Sequence, residues 1–198
     1  MPIRKTSTSV TPQVEIFPQL LETATGGFNL DDAPLAAGAE VLRGTVIGFD
    51  EVTRVALVVK QAILYEAALN TTVNYKVKKG HHLKVGDVIA YTVGGAAKAI
   101  ETITTTNAAY DTLGVGSGNS LGVAIDAGEV LFEGPTAGTD TAALKTEPKG
   151  LLMEDAVAQA SEPISVVLRG TVYQRRLPCG ACDAVKAALP MIIFSQSK

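Results

Sequence analysis

From position 41 onward, short apolar runs rich in β-branched residues alternate with Gly, Asp and Asn, and this spacing predicts many short strands. Strands are expected over 41–47, 55–60, 74–77, 88–93 and 99–104, because Val, Ile and Thr suit a pleated, half-buried surface. Farther along, 123–125 and 130–132 flank Asp126-Ala127-Gly128, which reads as a hairpin, and 165–174 and 191–194 read as two more strands. Helical periodicity is scarce. A weak pattern covers 151–160, and a short helix is predicted over 183–189, where Asp183 can cap and Pro190 follows the end. Gly80 and Gly86 bracket a corner suited to positive φ, with Val85, Val88 and Ile89 expected to return to the core. The predicted fold class is mainly β: a barrel-like or sandwich-like body with one or two short helices.

One pattern stands apart from the spacing. Val41-Leu42-Arg43-Gly44-Thr45-Val46 recurs without a mismatch as Val167-Leu168-Arg169-Gly170-Thr171-Val172. Both copies read as strands that frame one β-rich unit, by pairing or by occupying equivalent sites. Arg43 and Arg169 would then form equivalent salt bridges, touch a partner, or keep exposed strands from pairing edge to edge.

The first 35 residues are organised differently, as an extended N-terminal arm (1–35) ahead of a β-rich body (36–198). Residues 6–12 are polar and β-branched; an apolar cluster follows, interrupted by Pro18 and set off by Gly26-Gly27. Ile16, Phe17, Leu20 and Leu21 must be buried on the body or on a neighbour, and they are the candidate docking residues. On this reading the arm serves docking more than folding.

Composition narrows the function. At 198 residues and 46% hydrophobic the chain can fill a real core, and no composition shift divides the stretch after position 41. Charge is nearly balanced, 17 basic against 20 acidic residues, and aromatic residues are 5% with no Trp. Direct nucleic-acid binding is therefore not expected. No run is long and apolar enough to span a bilayer, and the Arg4-Lys5 pair has no hydrophobic run after it, so neither membrane nor secretion is expected.

Candidate chemistry is thin. Cys179-Gly180-Ala181-Cys182 could be half a zinc site, a redox pair or a structural coincidence. Zinc would need four ligands, and beyond the two thiols the chain has only His81 and His82, whose adjacency points them to opposite faces of a strand. A redox pair would need a βαβ setting that the pattern lacks. The run 114–119 misses the third Gly of a dinucleotide loop, and Ser117 lacks the surroundings of a hydrolase nucleophile. No catalytic, metal or cofactor residue is assigned, and no enzyme activity is expected.

Residues 37–51 (AGAEVLRGTVIGFDE), Tyr75-Lys76-Val77-Lys78-Lys79-Gly80-His81, Val85-Gly86-Asp87, and Gly150-Leu151-Leu152 followed by 166–173 resemble segments of head-fibre and head-decoration proteins from tailed phages of gut bacteria, including crAss-like phages. The last pairing is also similar to lambda-type decoration proteins. The resemblance covers most of 36–197. It implies a β-rich structural protein on the outside of an assembled capsid, often at threefold positions. The implied partners are the major capsid protein, neighbouring copies of the chain, as in a trimer, and a head-fibre protein if this chain is a fibre base. The implied location is the capsid exterior, after synthesis in the host cytoplasm. A small redox or metal protein built on Cys179 and Cys182 stays open as the reading from another class.

Overall fold

Residues 15–196 are described by a computed structural model, and their fold is mainly β. In chain order the strands are β1 (Gln19–Leu30), β2 (Glu40–Val41), β3 (Val46–Phe49), β4 (Val55–Val58), β5 (Gln61–Ile63), β6 (Asn74–Lys78), β7 (Val88–Ala90) and β8 (Ala97–Ala99). They continue as β9 (Thr102–Thr104), β10 (Tyr110–Gly114), β11 (Val130–Gly134), β12 (Gly150–Leu152), β13 (Ala156–Val157), β14 (Glu162–Tyr173) and β15 (Ile192–Ser195). A 3-10 turn (Gln174–Arg176) and one α-helix, α1 (Asp183–Ala188), lie between the last two.

The two longest strands organise the first of two β-units, which draws on both ends of the chain. β1 runs antiparallel to β14 and parallel to β4, and the ladder continues through β3 and β12 back to β14. Five strands thus close into a barrel. At 12 residues, β14 is long enough for one edge to serve two partners in turn. That edge pairs with β12 at Val166 and Val167, then with the parallel strand β15 from Gly170 to Tyr173. Phe28, Leu30, Ile47, Val58, Leu152 and Val166 fill the barrel. Gly170 lets β1 and β14 approach, because a Cβ there would lie 2.5 Å from the Gln19 carbonyl oxygen.

From β4 the chain runs through Val59 and Lys60 straight into β5 and builds a second β-unit before returning at β12. Its sheets, β5-β11-β7-β8 and β6-β10-β9, are joined by a bridge between Leu64 and Val77 and by Glu101 N–H donating to Gly114 O at 2.8 Å. Leu64, Tyr75, Ile89, Ile100, Leu113 and Leu131 are buried between them. A third cluster cements the two units: Val46, Val59, Phe132, Leu151 and Val167 pack with Val185 and Leu189 of the helical segment and Ile192 of β15. The helix is short because Pro190 follows it, and it is placed by burial of Val185.

Several expectations are corrected. Only the second copy of the hexapeptide lies within a strand. In the first, Leu42–Thr45 make a turn between β2 and β3, with Gly44 at φ +83° and the Thr45 hydroxyl donating to Leu42 O at 2.6 Å. The two copies are neighbours all the same, since β12 pairs with Val46 and Ile47 on one side and with Val166 and Val167 on the other. Residues 151–160 hold β12 and β13 rather than a helix. Asp126-Ala127-Gly128 is not a hairpin: Ile125 and Val130 both face the same stretch, at Ala68 and Ile63, so the chain makes a local turn and resumes the same antiparallel register. Val85 is exposed, whereas Ile89 is buried as expected. Cys182, not Asp183, is the cap residue of α1.

The arm is corrected from residue 15 on, while residues 1–14 lie outside the described residues. β1 supplies one wall of the barrel, from Gln19 opposite Thr171 to Leu30 opposite Glu162. The mid-strand register shifts beside Gly26-Gly27 absorb what read as a flexible joint. Deleting residues 1–26 should therefore lower the melting temperature sharply or abolish folding. Circular dichroism melts of truncated and full chains check this.

Candidate interaction surface and buried polar joint

The four apolar residues expected to act together are divided by the fold. Ile16 is buried, its carbonyl accepting from Tyr173 N–H at 2.9 Å, and Phe17 packs half-buried on the same cluster. Both belong to the body's own core. Leu20 and Leu21 stay exposed, Leu21 at a register shift of β1. Across β14, Leu20 faces Gly170, which in turn faces Ile192 of β15. Met191 and Ile193 beside it are exposed, Ile193 at 65%. Met191 and Ile193 thus form a short apolar strip on the exposed face beside β15, whereas the register places Leu20 on the opposite face, with Ile192. Among the described residues β15 has no strand on its outer edge.

The two repeat arginines are not equivalent. Arg43 sits in the turn, its backbone N–H donating to Asp155 Oδ1 at 2.7 Å, and Arg169 lies exposed on β14 in register with Glu22. Arg176 bonds Glu15 O at 2.6 Å and covers the Tyr173 ring, which ties down the start of β1.

Both cysteines are free and buried. Burial pushes the Cys179 thiol up to about 12, and its sulfur lies 3.4 Å from Gly80 O. Burial also raises Cys182, against the opposing pull of nearby backbone N–H groups at the start of α1. At neutral pH both are small apolar groups rather than thiolates. The residue between them that matters is Gly180: at φ +73°, with a Cβ that would lie 2.7 Å from Val130 Cγ2, it lets this turn press against β11. No group of three or more His, Cys, Asp and Glu side chains is placed to hold a metal among the described residues. No helix among them is long and apolar enough to cross a membrane.

The strongest electrostatics lie where β4 runs into β5. Lys60 is only 2% exposed, with Asp87 Oδ2 at 2.6 Å and Glu133 Oε1 at 3.7 Å. Lys145 reaches the same Glu133 oxygen at 2.6 Å. Burial raises the Glu133 pKa, and the two lysines oppose that shift. Gln61 beside it accepts from Cys182 N–H at 2.9 Å, while its buried Nε2 has no partner. His82 completes the joint. Burial first, then His81 and Lys60, holds it down at about 4. His81 is also lowered by burial, and its Nε2 is 3.3 Å from Asp111 Oδ2 without the angle of a hydrogen bond. Lys60 lies where the chain passes from β4 to β5, so this cluster of charges sits at the joint between the two β-units. A polar pair, Lys60-Gln61, set between Val58-Val59 and Ala62-Ile63-Leu64 was the sequence signal for it.

Compared with models of protein families, with curated proteins and with solved structures, the chain matches none of them.

Two outcomes are expected. The native protein should resist a soluble aromatic disulfide reagent at neutral pH and release two thiols on unfolding, and Cys179→Ala with Cys182→Ala should stay folded; absorbance and thermal melts check both. His82 takes up its proton near pH 6.5 when unfolded but only near 4 when folded, so it costs stability as pH falls through that window, by about 3 kcal/mol in all. The raised pKa of Glu133 acts with the opposite sign. His82→Asn should flatten the acid limb of denaturant unfolding free energy measured between those pH values.

Proposed function

We propose that the chain is a structural virion protein: a non-enzymatic auxiliary protein that binds the outer surface of a phage capsid. The observation that carries this reading is the apolar strip beside an open strand edge. β15 reads Ile192-Ile193-Phe194-Ser195 and carries no charge to deter pairing. An edge with such side chains exposed invites another chain unless something covers it. The head-fibre and decoration resemblance supplies the kind of partner, the major capsid protein. Its segments fall in the β2–β3 turn, in β6 and the corner after it, and in the β12–β14 ladder.

The mechanism is area and multivalency. Two exposed side chains and an unpaired strand edge make a modest contact per copy, well suited to the lower end of specific interfaces. Copies spanning neighbouring capsomers would then resist shell expansion together, since each engaged site raises the effective concentration of the next.

Ile193→Lys combined with Met191→Glu should leave the melting temperature nearly unchanged, because both side chains are largely exposed to water. Each would otherwise contribute roughly 1.5–3 kcal/mol when fully buried, so binding to purified capsids should weaken tenfold or more. Co-sedimentation with capsids measures it. Undiminished binding by the double variant would remove the strip from the interface.

A further inference from the structure

Two surface cavities meet along the seam between the second β-unit and the C-terminal segment. One encloses about 470 Å³ and the other about 330 Å³. They share Gly128, Val130, Gln174 and Ala181, which makes them one continuous cleft. Its floor is apolar at Val130 and Ala181, and Gly180 sets one wall hard against the sheet.

The two ends differ in charge. At the smaller end, Lys78 and Arg175 line the same cavity, and neither side chain has an ion-pair or hydrogen-bond partner among the described residues. At the larger end sit Glu129, approached by the Tyr91 hydroxyl at 3.4 Å, and Asp183, paired with Lys186 at 3.0 Å. In a chain of net charge −3, two unpaired cations facing one cavity are a local reversal of sign. Arginine's planar fork matches a carboxylate through two parallel hydrogen bonds, and lysine adds a point charge beside it.

We propose that this cleft binds an extended acidic peptide segment of a partner protein, with a carboxylate held between Lys78 and Arg175. The cleft is longer than a single anion requires, and its floor offers apolar contact to a side chain next to the acid. Glu129 at the far end opposes a polyanion and favours a segment that is basic or neutral there. A lone inorganic anion would use only one end. This site is separate from the apolar strip and does not depend on what covers it.

The test is a titration of isotope-labelled full-length protein, followed by amide chemical shifts, with three probes. They are acetyl-Glu-Val-Thr-Val-Lys-amide, the same peptide with Gln in place of Glu, and inorganic phosphate. The acidic peptide should shift Gly128, Gly180 and Ala181 and saturate. The Gln peptide should bind about tenfold more weakly, as should the acidic peptide to Lys78→Gln with Arg175→Gln, while Arg175→Lys should retain part of the affinity. Absence of saturable shifts at millimolar acidic peptide would overturn the proposal, as would equal binding of the Gln peptide or undiminished binding by the double variant. Phosphate binding as tightly as the peptide would overturn the peptide as occupant and leave a small-anion site. No capsid enters this experiment, so its failure is distinct from failure of the capsid reading.

Discussion

The pairing of β1 with β14 is the constraint on which the remaining structure hangs. Closing a five-stranded ring leaves no free edge inside it, so each strand's position follows from its neighbours'. Gly170 makes the approach possible, since any side chain there would collide with the Gln19 carbonyl. The same long strand then carries β12 and β15 in succession on its other edge. The ring's closure thus also places β15, which has no strand on its outer edge among the described residues.

The second unit depends on a different kind of contact. The chain crosses from barrel to second unit through Lys60, whose ammonium is enclosed with Asp87 and Glu133. Desolvating such charges is costly, and removing one partner from a buried pair costs roughly 3–5 kcal/mol because the other is left uncompensated. Around that polar point the apolar cluster of Val46, Phe132, Leu151, Val185 and Ile192 supplies nonspecific adhesion. Burial glues the units, and the ionic joint fixes their register. His82, held neutral by burial and by the charge of Lys60, costs stability when acid protonates it.

The C-terminal segment after β14 feeds both candidate surfaces. Arg175, Gly180, Ala181 and Asp183 border the cleft. Met191 and Ile193 then contribute to the apolar strip. One surface is apolar and open, suited to area, and the other is concave and charged at both ends, suited to reading a particular segment. A protein holding to a larger assembly can use the first for adhesion and the second for orientation.

By itself the sequence determined the class of the fold and most of its strands, because β-branched runs punctuated by Gly and Asp fit little besides a pleated surface. It also marked the short helix ahead of Pro190, whereas the Lys60-Gln61 pair stranded in an apolar run read only as the end of a strand and its sequel. Partner choice was decided only in three dimensions. The hexapeptide is a turn at Leu42–Thr45 and a strand from Val167, because Leu152 takes the Gly44 N–H in one place while β1 and β15 flank the other. Ile16 and Leu20 have like hydropathy, yet one is core and the other surface, since only the pairing with β14 decides which lies against Gly44 and Leu177. Lys78 and Arg175 are far apart in the chain and came to share a cavity through the turn at Gly180. Local propensity is set by each residue and its near neighbours, whereas a site is set by which distant strands the core brings together.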